Sequence, residues 1–400
     1  MIATSNLYLT GNPIRFKVSD PNNKVIGYTI YIDDSNDSLY NGSCIIPEEL
    51  TTAELEISDI LKTFVKSSPI SGNGYLIPAP DFMVYFSIHF PAPIIQPSYG
   101  GYAIYGGIPK KMYRKLSEMN TNIFEYKYFK KESNNYVLTT RTASKQIQIR
   151  ETEICPLMFM YQGEDFKFVS HSGKTIHIPP QPGYHDRFVG FNLEKILYDF
   201  FTQKDELTHY INVLTDDKYS FSIAVLPTVP SEEKYILEFR NSLGAYERIE
   251  LSGKASSEPK FEDEELFNVY DKTVSDFTEN RKRTLTTETI KCECGCKTHE
   301  ELLFLRDLIS SDDIRILGPD KAWAKVHVTV EEYAVDLNMT EPKSIPLIIR
   351  FDEKEEFYLP NLFVPDSAGD TEAGTGWLGK GFWNANGFLL SNSPWISGQN

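Results

Sequence analysis

The stretch Met83-Val84-Tyr85-Phe86-Ser87-Ile88-His89-Phe90 sets Val84, Phe86, Ile88 and Phe90 on alternate positions. Successive side chains of an extended chain point to opposite faces, so this run reads as a strand with one buried side. Toward the N-terminus, Ile14 to Val18, Val25 to Ile32, Leu39 to Ile46 and Glu54 to Ile57 are further short strands separated by turn signals. That spacing predicts a β-sandwich over residues 1–92. After the last of them Ser58 is expected to cap a short helix whose Ile60, Leu61, Phe64 and Val65 close the first core.

Beyond Phe90, Pro91 to Gly107 is rich in Pro, Gly and Tyr and is expected to be an irregular crossing segment. Pro109 suits the first turn of a short helix in which Met112, Tyr113 and Leu116 are expected to face inward. Residues 93–255 form a β-rich middle domain, with runs at Gln146 to Tyr161, Phe166 to Ser170, Thr175 to Ile178, Phe221 to Leu226 and Tyr235 to Phe239. Ser172-Gly173 suits a hairpin turn. One helix packs there: Asn192 is its N-cap, and Leu193, Ile196, Leu197, Phe200 and Phe201 form its buried stripe.

Ser252 to Glu265 is polar and acidic and reads as a linker. The third domain, 256–364, is an α+β unit in strand, helix, strand, strand order. Thr298 with Glu301 is a capping-box pair ahead of Leu302, Leu303, Leu305, Leu308 and Ile309, and strands follow at Ile314 to Leu317, Ala324 to Val330 and Ile345 to Phe351. Residues 365–400 are an extended Gly-rich, aromatic arm. The fold class is therefore mainly β with α+β elements, in several domains, as a chain of 400 residues requires.

A net charge of −16 disfavours contact with phosphate backbones, so nucleic acid is not an expected partner. The basic runs Lys110, Lys111, Arg114, Lys115 and Arg281, Lys282, Arg283 read as solvated faces. Met1 to Phe16 lacks a basic region followed by a continuous apolar stretch, so no signal peptide is expected, and no run is apolar for the ~18 residues of a membrane span. Five cysteines, an odd number, do not make a disulfide framework; synthesis in a reducing cytoplasm is expected.

Cys292, Cys294 and Cys296 recur every second residue, with His299 nearby. In a strand their thiols line up at ~6.6–6.8 Å steps and do not converge as zinc knuckles do, so they read first as small apolar side chains on a core face, ahead of a metal or redox site. His171, His177 and His185 with Asp186 lie close in sequence, but no spacing forces them into a metal site. Carboxylate pairs such as Glu151 with Glu153, or Asp216 with Asp217, are common in so acidic a chain and carry no weight. No nucleophile elbow, P-loop, dinucleotide fingerprint or zinc-protease helix occurs. The expectation is no enzyme, no cofactor, no metal and no catalytic residue.

The arm differs. Trp377, Trp383 and Trp395, with Phe382 and Phe388, are aromatic residues in a Gly-rich setting too irregular to make a core. They are the candidate interface residues: the arm folds back on its own domain, docks on a neighbouring subunit, or stacks its rings on sugars.

Several motifs are shared with a known family. They are Gly11-Asn12-Pro13-Ile14; Glu56 to Leu61; Tyr105-Gly106-Gly107-Ile108-Pro109-Lys110; Thr139-Thr140-Arg141-Thr142; Arg150-Glu151-Thr152-Glu153 with Cys155-Pro156-Leu157; Leu237 to Ser242 with Gly244 to Ile249; and Glu300 to Ser311. On these the chain resembles a family of large proteins encoded by phages and prophages of Bacteroides-type bacteria. The resemblance implies a virion tail component, made in the host cytoplasm, and its motifs are those of a scaffold. No functional residue is carried over, and neither the cysteine triplet nor the aromatic arm matches the family. The third domain is similar, in fold alone, to the unit that distal-tail proteins use to build rings. The resemblance thus leads to the expectation of a tail, tail-tip, baseplate or collar subunit forming a symmetric ring, a hexamer by analogy, and meeting other tail proteins without membrane insertion. The alternative is a receptor-recognition or fibre-adaptor protein that binds a host-surface glycan; a surface-polymer hydrolase is a third reading, without a motif.

Overall fold

A computed structural model of the chain describes residues 6–20, 24–32, 40–91, 98–126, 128, 136–229, 231, 234–262, 266–318, 322–336 and 341–355. It is mainly β, with several sheets and five α-helices among the described residues. The chain divides into two compact units, the first made of residues 1–149, 154–226 and 240–247, the second of residues 150–153, 227–239 and 248–400.

In the first unit Met83–His89 is a strand whose residues alternate between buried and half-buried, ending exposed at His89. It lies inside a five-stranded sheet ordered Leu7–Leu9, Tyr99–Ile104, Met83–His89, Val25–Ile32, Tyr40–Ile45. The pair Arg15–Ser19 and Thr52–Glu56 adds Phe16, Val18 and Leu55 to the same core, where Ile26, Ile30, Val84, Phe86 and Ile88 are buried. Leu61 and Val65 close it as expected, with Ile60 and Phe64 packed alongside. Ser58 does not cap: the helix Ser58–Lys62 has Ile57 in the cap position, and the Ser58 hydroxyl donates to Glu56 at 3.2 Å.

Pro91 to Gly107 is not wholly irregular, because Tyr99–Ile104 is a strand within this sheet. Its glycines have a packing reason. A Cβ on Gly101 would stand 2.5 Å from the Tyr8 ring and 2.9 Å from the Asn6 carbonyl, so the parallel neighbour Leu7–Leu9 can approach only a bare backbone.

Gln146 to Tyr161 is two strands, Gln146–Arg150 and Leu157–Tyr161, separated by a 3-10 turn. Every residue of Leu157–Tyr161 is buried, which is why that stretch shows no alternation. Phe159 stacks on Phe191 at 4.0 Å between ring centroids, and Phe166 meets Phe191 edge-on at 4.8 Å. The hairpin Phe166–Ser170 to Thr175–Ile178 forms as expected, with Gly173 at φ +85° in its turn. So does the helix Leu193–Lys204, whose Asn192 side chain accepts the Lys195 amide at 3.1 Å; Phe201, however, is exposed.

In the second unit an eight-stranded sheet packs on the helix His299–Ile309. The capping box is complete: the Glu301 amide donates to the Thr298 hydroxyl, and the Thr298 amide donates to the Glu301 carboxylate. Leu302, Phe304, Leu305 and Leu308 face the core against Ile290, Leu347 and Ile349. Strands Ile314–Leu317, Trp323–Thr329 and Pro346–Glu355 follow. The expected linker, Ser252 to Glu265, contains two short strands, Ala255–Ser257 and Lys260–Phe261, both paired with Thr286–Glu293. Its polarity belongs to an edge, not to a free connection.

Between Phe261 and Thr286 lies a two-stranded ribbon, Leu266–Asp271 with Asp276–Arg281, that pairs with no other strand among the described residues.

Candidate functional site

Within each unit, segments far apart in sequence are joined by hydrogen bonds. In the first unit the Gly11 amide donates to the Gly106 carbonyl at 2.6 Å, and the Gly107 amide donates to the Ser242 carbonyl at 2.7 Å. Asn12 and Ile108 exchange two hydrogen bonds, at 2.8 and 2.9 Å. Gly244, at φ +87°, sits so close to Tyr105 that a Cβ would lie 2.4 Å from its carbonyl oxygen. The Arg240 guanidinium lies 3.9 Å from the centre of the Tyr105 ring.

Glu247 anchors this knot. Its carboxylate accepts from the Thr139 hydroxyl (2.6 Å), the Thr140 amide (3.1 Å) and the Asn241 side chain (2.6 Å), with Arg141 at 3.5 Å. Burial pushes its carboxyl above the usual range, against the pull of Arg141 and of those donors. Asn241 holds the loop from within, donating to Leu138 and accepting the Leu243 and Ala245 amides.

The second unit has a comparable node built on Arg150 to Glu153. The fully buried Glu250 accepts from Thr152 (2.5 Å), Thr228 (2.7 Å) and the Val229 amide (3.2 Å). Its own amide donates to Glu153 at 2.8 Å, and buried Lys297 donates to its carbonyl at 2.6 Å. Arg150 reaches Glu301 at 2.7 Å, so the helix cap is tied to the same node. Nearby, buried Glu238 is held by Arg248 (2.9 Å) and Arg315, and both guanidinium groups lie 5.3 Å from the Trp323 ring. Glu151 and Glu153, which carry no weight as a pair in the sequence, thus differ: Glu153 is buried structure, while Glu151 is half-buried with its carboxyl raised by burial. Each buried carboxylate is occupied by donors of the chain itself, an arrangement that locks segments together.

The histidines do not converge. His171 pairs with Glu206, His177 with Asp165 and His185 with Asp186, at 3.2, 2.5 and 3.0 Å. Glu206 also accepts from Ser170 and Ser172, so both hydroxyls point to the carboxylate and neither is activated by the imidazole. Cys292 and Cys294 are buried on the core side as expected, Cys292 with its thiol pushed up to about 12 by burial. Cys296 departs from that expectation: the strand ends at Glu293, Gly295 turns at φ +80°, and Cys296 is exposed. Among the described residues no group of three or more His, Cys, Asp or Glu side chains is placed to hold a metal ion, and no helix is long and apolar enough to cross a membrane. Trp377, Phe382, Trp383, Phe388 and Trp395 lie outside the described residues.

The surface feature that sequence reasoning missed is the ribbon. Leu266, Phe267, Val269, Tyr270, Val274 and Phe277 are 43% to 66% exposed. The pairing Tyr270 to Phe277 puts Leu266, Tyr270 and Phe277 on one face, leaving Phe267 and Val269 on the other. A lone two-stranded hairpin is marginal in water, and clustered exposed apolar side chains mark contact surfaces.

Neither a scan of protein-family models nor a search of curated proteins finds a match to this chain.

Proposed function

We propose that this chain is a structural subunit of a bacteriophage tail or tail tip, acting through protein–protein interfaces and assembling into a symmetric ring in the virion. The observation that carries the assembly reading is the ribbon Leu266–Arg281, whose apolar side chains are uncovered on both faces. Its phage assignment rests on the motif resemblance, and the rigid knots that those motifs form suit a part under mechanical strain. Trp377, Phe382, Trp383, Phe388 and Trp395 are proposed to add contacts to neighbouring subunits. Mass spectrometry and immunogold labelling of purified particles test this reading. The expected result is a fixed number of copies per particle with label at the tail; a chain absent from particles overturns it.

A further inference from the structure

We infer that Asn73 is a site of spontaneous deamidation, and that its isoaspartyl product opens the clamp by which Asn192 holds the start of the helix Leu193–Lys204. The reaction needs only water and is the same whether or not the chain assembles.

The pair Asn73-Gly74 lies in an exposed bend ahead of the strand Leu76–Pro78. Among the described residues neither the Asn73 side chain nor the Gly74 amide has a hydrogen-bond partner. Glycine has no Cβ to shield its nitrogen, and this position favours glycine, because a Cβ on Gly74 would stand 3.0 Å from the Leu76 carbonyl oxygen. The Gly74 nitrogen, giving up its proton, can therefore bond to Asn73 Cγ; the Cγ–Nδ2 bond breaks, ammonia leaves, and a cyclic imide closes. Water then opens the ring on either side of that nitrogen. Cleavage from Cγ gives an aspartyl residue. Cleavage from the main-chain carbonyl carbon gives an isoaspartyl residue, whose backbone runs through Cβ and Cγ and is one atom longer. Nothing is oxidised or reduced.

A second pair, Asn41-Gly42, is equally exposed at its asparagine but is held. It lies in the strand Tyr40–Ile45, where Asn41 pairs with Thr29 and Gly42 with Tyr28. The Thr29 hydroxyl donates to Asn41 Oδ1 at 2.8 Å, and a Cβ on Gly42 would be 2.5 Å from the Tyr28 hydroxyl oxygen. Turning Asn41 out of the extended conformation to close the ring breaks this ladder, a cost that Asn73 does not carry. A third pair, Asn386-Gly387, lies outside the described residues.

The structural consequence runs through Asn192. Its side-chain amide donates to the carbonyls of Gly72 and Gly74, at 2.9 and 3.0 Å, on either side of Asn73, while its side-chain oxygen accepts the Lys195 amide. One nitrogen bridges the two carbonyls only while the chain between them keeps its length. The extra backbone atom spoils that fit and loosens the residue that caps the helix.

The test holds native full-length chain in mildly alkaline buffer and samples it by peptide mass spectrometry with electron-transfer fragmentation, which separates aspartyl from isoaspartyl products. Position 73 is expected to convert, isoaspartyl included, while Asn41 stays intact; in denaturant the two are expected to convert at similar rates. The melting temperature of the aged protein is expected to shift down, and that of Asn73→Ser, which cannot form the imide, to hold through the same incubation. Native conversion at position 73 no faster than at Asn41, or a preference for position 73 that persists in denaturant, overturns the inference. So does aged wild type that melts like fresh protein, or Asn73→Ser that loses as much as wild type.

Discussion

The Thr139 hydroxyl donates to the Glu247 carboxylate at 2.6 Å across 108 residues of chain, and both residues are buried. Two motifs that look unrelated along the sequence are one structural unit. The bond ties a loop to the start of the strand Tyr246–Leu251, and it is reinforced by Asn241 and Arg141.

Removing the anchor should therefore be severe. Glu247→Ala removes the buried carboxylate that Thr139, Thr140, Asn241 and Arg141 share, and is expected to lower stability by about 3–5 kcal/mol. Chemical denaturation measures this. A loss under about 1 kcal/mol, the size of an ordinary surface change, would mean the knot is not structural.

Gly244 tests the same knot from the backbone. Gly244→Ala forces a side chain into φ +87° against the Tyr105 carbonyl, and is expected to destabilise by at least ~1–3 kcal/mol. A thermal melt equal to wild type would contradict it.

The second node gives a pH signature. Burial pushes the Glu301 carboxyl up, but the Thr298 amide, Lys297 and Arg150 outweigh it and hold the group below its ordinary 4.5. A carboxyl depressed on folding stabilises above its unfolded value and loses that contribution as pH falls through the folded one. Melting temperatures below about pH 4.5 should accordingly fall more steeply for wild type than for Glu301→Gln. Parallel curves would show that the group titrates alike in both states. Thr298→Ala, removing the cap itself, is expected to cost about 1 kcal/mol.

The cysteines should separate by reactivity, since only the thiolate reacts. Exposed Cys296 is expected to take up maleimide in the native protein, while buried Cys292 and Cys294, whose thiols are both raised by burial, label only after unfolding. Peptide mass spectrometry decides it. Equal native labelling of all three would contradict the buried placement.

The sequence is legible wherever an element leaves a local signature. Met83–His89 alternates, Asn192 and Thr298 cap, and Ser172-Gly173 turns, and each is found as expected. Tyr99–Ile104 escapes because Gly100 and Gly101, which admit the neighbouring chain and rings, look like loop glycines. Glu153, Glu247 and Glu250 cannot be told from the many solvated acids, because each has a partner about a hundred residues away in the chain. The ribbon is hidden by its own character: Leu266-Phe267-Asn268-Val269-Tyr270 has apolar side chains on both faces, so no single-face period marks it as a strand.

The sharpest check on the assembly reading is hydrogen exchange of residues 266–281 in the full-length chain, followed by mass spectrometry over a range of protein concentrations. If the ribbon is completed by another copy, its amides exchange quickly in dilute protein and become protected as concentration rises, while the knot around Glu247 is protected throughout. Exchange in the ribbon that is the same at every concentration would contradict the claim that this surface exists to be covered by a partner.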